Sequence, residues 1–362
     1  MAEIGVERLH KRFDDFVAVR DSSFTVKDGQ FFVMLGPSGC GKTTTLRLIA
    51  GLELPTSGRI LLDGEDVTRR RASARDIAFV FQLFALYPHM NVRANMGFPL
   101  SCEGLAKARI RERVTEAARI LRIDHLLDQP VSRLSGGDRQ RVALGRAIVR
   151  QPKAFLMDEP LGALDAEMRE AMIGELRALH DRLGATTVYV THDQMEAMAM
   201  ADVIAVMNNG VVEQCAPPQE IYDHPASLFV ASFIGSPAMN LLPFRAALQP
   251  GQREVMLADG RLALPPVAEA VADTSLVLGV RPEHVRLGGE GGLRGAVFGT
   301  EYLGTTQIVT LRTGFGLVRA RAPSTLRLAV GETVGLDFRA ERLSLFEAAS
   351  GRPVRTGGAA HG

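Results

Sequence analysis

Short, nearly continuous apolar runs recur through the first two thirds of the chain and stop abruptly at polar residues. Phe31 to Leu35, Ile77 to Gln82 and Ala154 to Asp158 follow this pattern, Thr186 to His192 reads as another strand ending in a polar residue, and longer segments of helical period lie between them. Strands buried on both faces of a parallel sheet read this way. Residues 4 to 9 and 22 to 35 predict strands, with Asp28-Gly29 as the turn before the second apolar run, and Ile60 to Leu62 predicts another that ends at Asp63-Gly64. Thr44 to Ala50 predicts a helix. So does Ala106 to Leu121, where Ile110, Val114, Ala117, Ala118 and Leu121 recur on one face among charged residues. Asp138 to Arg150 continues the helical pattern, and Val203 to Met207 and Val211 to Gln214 flank Asn208-Asn209-Gly210 as a β-hairpin. Near Gly235-Ser236-Pro237 the texture changes. Beyond it short β-rich runs are separated by glycines, for example Leu276 to Val280, Gln307 to Leu311, Leu317 to Ala320 and Val334 to Phe338, the pattern of a small all-β sandwich or barrel. Residues 351–362, rich in Gly and Ala, predict a disordered tail.

The stretch Gly36-Pro37-Ser38-Gly39-Cys40-Gly41-Lys42-Thr43-Thr44 lies between the strand Phe31 to Leu35 and the helix from Thr44. Glycines at 36, 39 and 41 let the backbone pass close to an anion, where successive N–H groups and the helix N-terminus supply positive potential. In this setting Lys42 is placed for the β- and γ-phosphates of a nucleotide triphosphate, and the Thr43 hydroxyl for Mg²⁺. Asp158 and Glu159 close the strand from Ala154, and Pro160 blocks its continuation. Neighbouring residues at a strand end point apart, so one carboxylate can hold Mg²⁺ while the other faces a water. Gln82 and His192 close two further strands. Ligands gather at the carboxyl ends of strands in open α/β sheets, which suits Gln82 to binding Mg²⁺ or orienting a water.

Three stretches carry two readings each. Phe13, after Lys11-Arg12, is either an adenine-stacking ring or an ordinary packed aromatic. Leu83 to Met90 is either a buried loop or a docking surface for an apolar partner element. Ser135-Gly136-Gly137-Asp138 forms a capping box at a helix start, and the same two glycines would let a phosphate come close. Arg139, Arg141, Arg146 and Arg150 on that helix read as a solvated face, with phosphate ligands as the alternative.

With 42 basic against 41 acidic residues, the chain offers no electrostatic case for nucleic acid as a main partner. Cys40, Cys102 and Cys215 are odd in number and far apart, which suggests neither a disulfide framework nor a metal cluster. No apolar run approaches the roughly 20 residues that span a bilayer, and the N-terminus lacks a signal pattern, so a cytosolic or peripheral protein is expected.

Taken together, these residues resemble the ATP-binding-cassette ATPases, specifically the ATP-binding subunits of bacterial carbohydrate importers. The match runs through Walker A at Gly36 to Thr43, the Q-loop at Gln82, the signature at Leu134 to Asp138, Walker B at Phe155 to Asp158, the D-loop with Asp165 and the H-loop at His192. The text at 84–90, 189–194 and 225–240 is similar to the maltose and glycerol-3-phosphate importer subunits, as are Leu278 to His284, Glu301 to Gly304 and Glu341 to Phe346 in the C-terminal part. The resemblance implies an α/β P-loop nucleotide-binding domain over 1–235, with a helical subdomain over about 88–152, then an all-β oligonucleotide-binding-like (TOBE) regulatory domain over 236–350. It implies an ATPase that uses ATP and Mg²⁺ and works as a head-to-tail homodimer. Its partners would be two membrane-spanning permease subunits at the cytoplasmic face of the inner membrane and, indirectly, an extracytoplasmic solute-binding protein. Ser135 and Gly137 would then meet the γ-phosphate held by the second copy's Lys42, with Gly136, Asp138 and Asp165 in the same interface. Glu159 would act on the attacking water, and His192 on the γ-phosphate. Two positions depart from the family: Asp138 stands where glutamine is usual, and Gly162-Ala163 where Ser-Asn is common.

Overall fold

The computed structural model describes residues 2–257, 260–288 and 293–356. Its packing divides into two compact units, Met1–Pro218 and Gln219–Gly362. The first runs β1 (Ile4–Phe13), β2 (Phe16–Val26), β3 (Phe31–Leu35), α1 (Lys42–Ala50), β4 (Ser57–Leu62), β5 (Glu65–Asp66), β6 (Ile77–Val80) and α2 (Val92–Cys102). It continues with α3 (Lys107–Ile120), α4 (Gly136–Ile148), β7 (Ala154–Asp158), α5 (Ala166–Leu183), β8 (Thr186–Thr191), α6 (Gln194–Met200), β9 (Val203–Asn208) and β10 (Val211–Ala216).

The central sheet has the order β10-β9-β3-β8-β7-β6, parallel from β9 to β6, with β10 folded back as a hairpin. Every residue of β3, β7 and β8 is buried; β3 and the first four residues of β7 read as apolar runs, and β8 sets threonines on either side of Val188, Tyr189 and Val190. Their register places Leu35 opposite Thr191 and Asp158 opposite Val190, so the strands end together. The residues that follow β3, β6, β7 and β8 therefore share one edge of the sheet. A second, antiparallel sheet has the order β2-β1-β4-β5.

Three elements differ from their sequence patterns. β2 starts at Phe16 rather than residue 22, because register shifts in the β1–β2 pairing interrupt the alternation on which a strand is recognised. α4 starts at Gly136, where two glycines with poor helix propensity follow the capping serine. α2 holds Gly97 and Pro99, and packing overrides their propensity: a Cβ on Gly97 would lie 2.9 Å from the Ile110 side chain on α3.

The chain continues with α7 (Pro218–Asp223), α8 (Leu228–Phe233), β11 (Asn240–Leu248), β12 (Glu254–Leu257), β13 (Gly260–Ala263), β14 (Val271–Val280) and β15 (Val285–Leu287). It ends with β16 (Leu293–Tyr302), β17 (Thr306–Thr313), β18 (Gly316–Pro323), β19 (Thr333–Phe338) and β20 (Leu343–Glu347). These strands pair antiparallel as β11-β14-β20, β12-β13 and β15-β19-β16-β17-β18 around a core that includes Leu242, Leu278, Val309 and Leu336. Part of the expected disordered tail is ordered. The Val354 N–H donates to the Leu345 carbonyl with its side chain buried, and Thr356 bridges to Val267. An apolar valine two residues beyond Arg352 gives this segment a place in the core that its Gly and Ala content hides. Residues 357–362 of that expectation lie outside the described residues.

Candidate functional site

The loop after β3 is shaped by close approach on both sides. A Cβ on Gly36 would collide with the Met207 carbonyl, and one on Gly41 with the Ala18 carbonyl; Gly41 also has φ 103°. Gly39 has φ 80° and open space around it. No side chain caps the N-terminus of α1, so its first N–H groups keep their capacity for an anion. Pro37, Ser38 and Gly39 form the more accessible side of the loop, while Cys40 is buried and desolvation pushes its thiol above the ordinary value. Lys42 is buried too. Its Nζ donates to the Gly36 carbonyl at 2.8 Å and the Pro37 carbonyl at 2.9 Å. Thr43 Oγ1 donates to Asp158 Oδ1 across the sheet edge at 2.8 Å, and Thr44 is half-buried beside it. Burial raises the Asp158 carboxyl above its ordinary value; the Thr43 hydrogen bond opposes this and the Glu159 charge adds to it.

Glu159 lies just past β7, with φ 43°, in the left-handed region that a bulky residue seldom occupies. Its N–H donates to the Val190 carbonyl at 3.0 Å, which ties the turn to β8. Glu159 Oε2 lies 3.1 Å from His192 Nδ1 and accepts from Gln82 Nε2 at 3.4 Å. The ends of β6, β7 and β8 thus converge on one carboxylate oxygen. Beneath His192, the buried Glu196 of α6 accepts from Thr191 Oγ1 at 2.6 Å and Tyr189 OH at 2.8 Å, fixing the end of β8.

At the start of α4, Ser135 Oγ accepts from the Asp138 N–H at 3.2 Å and donates to Asp138 Oδ2 at 2.7 Å. Asp138 also lies 3.5 Å from Arg141, whose guanidinium forks onto Glu175. A Cβ on Gly137 would lie 2.6 Å from Met168 Sδ, so that glycine is needed for the approach of α5 as well as for any phosphate. Asp165 caps α5 by accepting from the Met168 N–H at 2.9 Å, and Gly136 sits against Leu164. Phe13 ends β1, partly exposed, with Lys11 Nζ 4.4 Å from its ring centroid. Among the described residues, no hydrogen bond joins Phe13, the Ser135 turn or Asp165 to the loop of Lys42.

Several residues that hold the site were missed in the sequence. Arg75 is 1 % exposed and donates to the carbonyls of Leu48 and Ile49 at the C-terminus of α1 and to those of Arg70 and Thr68. Arg146 belongs to no solvated face, because its guanidinium is bonded to the carbonyls of Phe84 and Ala85. Arg139 donates to the Leu134 carbonyl, and Arg150 pairs with Glu103. Nothing in composition or periodicity marks such residues.

A glycine loop that opens a helix at the carboxyl edge of a parallel sheet, with a buried lysine and a threonine bonded across to the aspartate that ends β7, is the framework of a P-loop nucleotide-binding protein. The ABC transporter family model matches residues 19–162, the MalK OB fold domain 235–285 and the TOBE domain 278–346. The chain is 44% identical to the trehalose import ATP-binding protein SugC of Mycobacterium tuberculosis, over 97% of this chain and 98% of that one. It is 47% identical to the sn-glycerol-3-phosphate import ATP-binding protein UgpC of Salmonella typhimurium, over 98% of this chain and all of that one. Among solved structures, the dimeric ABC transporter cassette MJ0796 aligns with TM-score 0.54 at 30% identity, over 59% of this chain and 98% of that one. CbiO1 of Clostridium perfringens aligns with TM-score 0.57 at 30% identity, over 60% and 89%. The chain belongs to the ATP-binding proteins of ABC transporters, the ATPases that drive transport, and it carries the MalK-type OB and TOBE domains. No helix among the described residues is long and apolar enough to cross a membrane.

Proposed function

We propose that this chain is the ATP-hydrolysing subunit of an importer for a carbohydrate-type solute: a sugar, a sugar alcohol or sn-glycerol-3-phosphate. The observation that carries the chemistry is the convergence of Lys42, Thr43, Asp158, Glu159, Gln82 and His192 on one sheet edge. The likeness to SugC and UgpC over nearly the whole chain supports the solute class. Two copies work head to tail on two membrane-spanning permease subunits at the cytoplasmic face of the inner membrane, and an extracytoplasmic solute-binding protein supplies the solute.

In this reading the loop of Gly36 to Thr44 cradles the phosphates of ATP, and Lys42 exchanges two backbone carbonyls for phosphate oxygens. Phe13 offers its exposed ring face to the adenine. The oxygen donors Thr43 and Asp158, with Gln82, suit Mg²⁺, a hard cation that keeps part of its shell as water and phosphate. When bound, Mg²⁺ supplies charge neutralisation at the phosphates. Glu159 orients the attacking water and takes up its proton, and His192 holds the γ-phosphate end of the site. Ser135, Gly136, Gly137 and Asp138, with Asp165, face the nucleotide bound by the second copy, so one chain alone lacks half of the reaction site. A positioned acid or base contributes about 10²- to 10⁴-fold in rate, so Glu159→Gln should lower turnover by that factor and keep ATP binding.

The test is a pull-down of tagged Glu159→Gln protein from detergent-solubilised membranes with ATP present, with the partners identified by mass spectrometry. Two membrane-spanning proteins and a carbohydrate-binding protein are expected. A polyamine-, iron- or oxyanion-binding protein would overturn the solute class, and recovery of only soluble partners or nucleic acid would overturn the importer reading.

A further inference from the structure

The segment after Gln82 is pinned from two sides. Phe84 and Ala85 have φ 61° and 47°, left-handed conformations that persist in such residues only where the surroundings over-determine them. Arg146 supplies one side of that determination: its Nη1 donates to the Ala85 carbonyl at 2.6 Å, its Nη2 to the Phe84 carbonyl at 2.7 Å, and its Cζ lies 5.6 Å from the Tyr87 ring centroid. Asn95 of α2, fully buried, supplies the other. It accepts from the Tyr87 N–H at 2.8 Å and donates to the carbonyls of Tyr87, Met90 and Asn91.

The two anchors belong to one packed body. A Cβ on Gly145 of α4 would lie 2.6 Å from the Met96 methyl of α2, so the Met96 side chain packs directly against the α4 backbone and joins the two helices. Arg146 sits on the helix that begins at Ser135, about 15 Å along its axis at about 1.5 Å per residue. Between the clamp and Gln82, which is bonded to Glu159, only Leu83 is left, with 81% of its surface exposed.

We infer that Arg146 is a positioning residue that makes segment 84–87 move with α4, so that contact between the Ser135 end of the helix and the second copy's nucleotide is transmitted to the segment next to Gln82. Leu83 is the pivot: the residue before it is tied to Glu159, and the residue after it to α4. Two parallel N–H groups on a planar fork hold two consecutive carbonyls in a geometry that a lysine ammonium cannot reproduce. The inference rests on the proposed ATP-driven closure of two copies.

The test is hydrogen–deuterium exchange of peptides spanning 82–90 in the full chain carrying Glu159→Gln, with and without ATP and Mg²⁺, while sedimentation reports dimerisation. The parent protein should dimerise with ATP and change its exchange over 84–87. With Arg146→Met added, dimerisation should persist. The amides of 84–87 should exchange about tenfold faster or more, and their response to ATP should disappear while amides within α4 stay protected. Arg146→Lys should lie between the two. Dimerisation with an undiminished ATP response in Arg146→Met would overturn the clamp and leave the functional reading intact. Failure of the parent to dimerise would overturn both. Loss of protection throughout α4 would show a merely structural role and also overturn the inference.

Discussion

Replacing Asp138 by glutamine tests how the Ser135 turn meets a phosphate. In the structure the Ser135 hydroxyl is committed, donating to Asp138 Oδ2 at 2.7 Å. A hydrogen bond to a charged group contributes about 1.5–3 kcal/mol. In the proposed reading Ser135 releases it to donate to a phosphate oxygen, where it regains a bond of similar kind. What is not regained is the donor lost by the carboxylate, together with its negative charge turned toward a polyphosphate. Arg141, 3.5 Å away, offsets part of that charge, but Glu175 shares the same guanidinium. A residual penalty of about 1 kcal/mol follows, or about fivefold in rate. Asp138→Gln should therefore raise steady-state phosphate release at saturating ATP about fivefold. An acidic residue in the first turn also favours α4 by about 0.3–1 kcal/mol through the helix dipole, so the variant should melt about one to four degrees lower. Faster turnover from a less stable protein is the signature. Turnover that is unchanged or reduced would refute the reasoning.

Asp158→Asn probes the buried carboxylate. Its native value is raised by burial, so the folded state binds the proton more tightly than the unfolded chain does. Stability from this group is therefore present at low pH and falls as pH rises from the ordinary carboxylate range through the raised native value. The nucleotide-free Asn variant should melt higher than the parent at neutral pH, with a flatter pH dependence, and lose the extra thermal shift that Mg²⁺ gives with ATP. A lower melting temperature would count against the buried charge. Arg75→Met removes the guanidinium donor from the carbonyls of Ile49, Thr68 and Arg70 and one of two donors from that of Leu48, so denaturant unfolding should show a loss of about 3 kcal/mol. A loss below about 1 kcal/mol would show that other donors replace it.

The residues most legible in the sequence are those that end buried strands. A strand covered on both faces is built mainly of apolar and β-branched residues, so Gln82, Asp158-Glu159 and His192 stand out as polar endings, and the glycine loop stands out by its spacing. The start of β2 was hidden by the register shifts of the β1–β2 pairing, and the ordered part of the tail by glycines around a single buried valine. Arg75, Asn95 and Arg146 were illegible for a different reason. Each is polar within a polar-looking stretch, and each is held by the carbonyls of residues it does not adjoin. Such partners depend on tertiary packing, which no local pattern encodes. Asp138 is different: its pairing with Ser135 is local and legible as a capping box, and the structure adds that its carboxylate accepts from the Ser135 hydroxyl.

The lysine of the phosphate loop bears on selectivity among anions. With Nζ already bonded to the carbonyls of Gly36 and Pro37, the loop does not present a bare positive charge to its surroundings. A lone inorganic anion can engage the lysine and few of the loop's other donors. A nucleotide with a full run of phosphates can engage the loop amides, the helix start and the lysine together. In the proposed reading, affinity at the loop then depends on how many of these contacts a ligand makes at once.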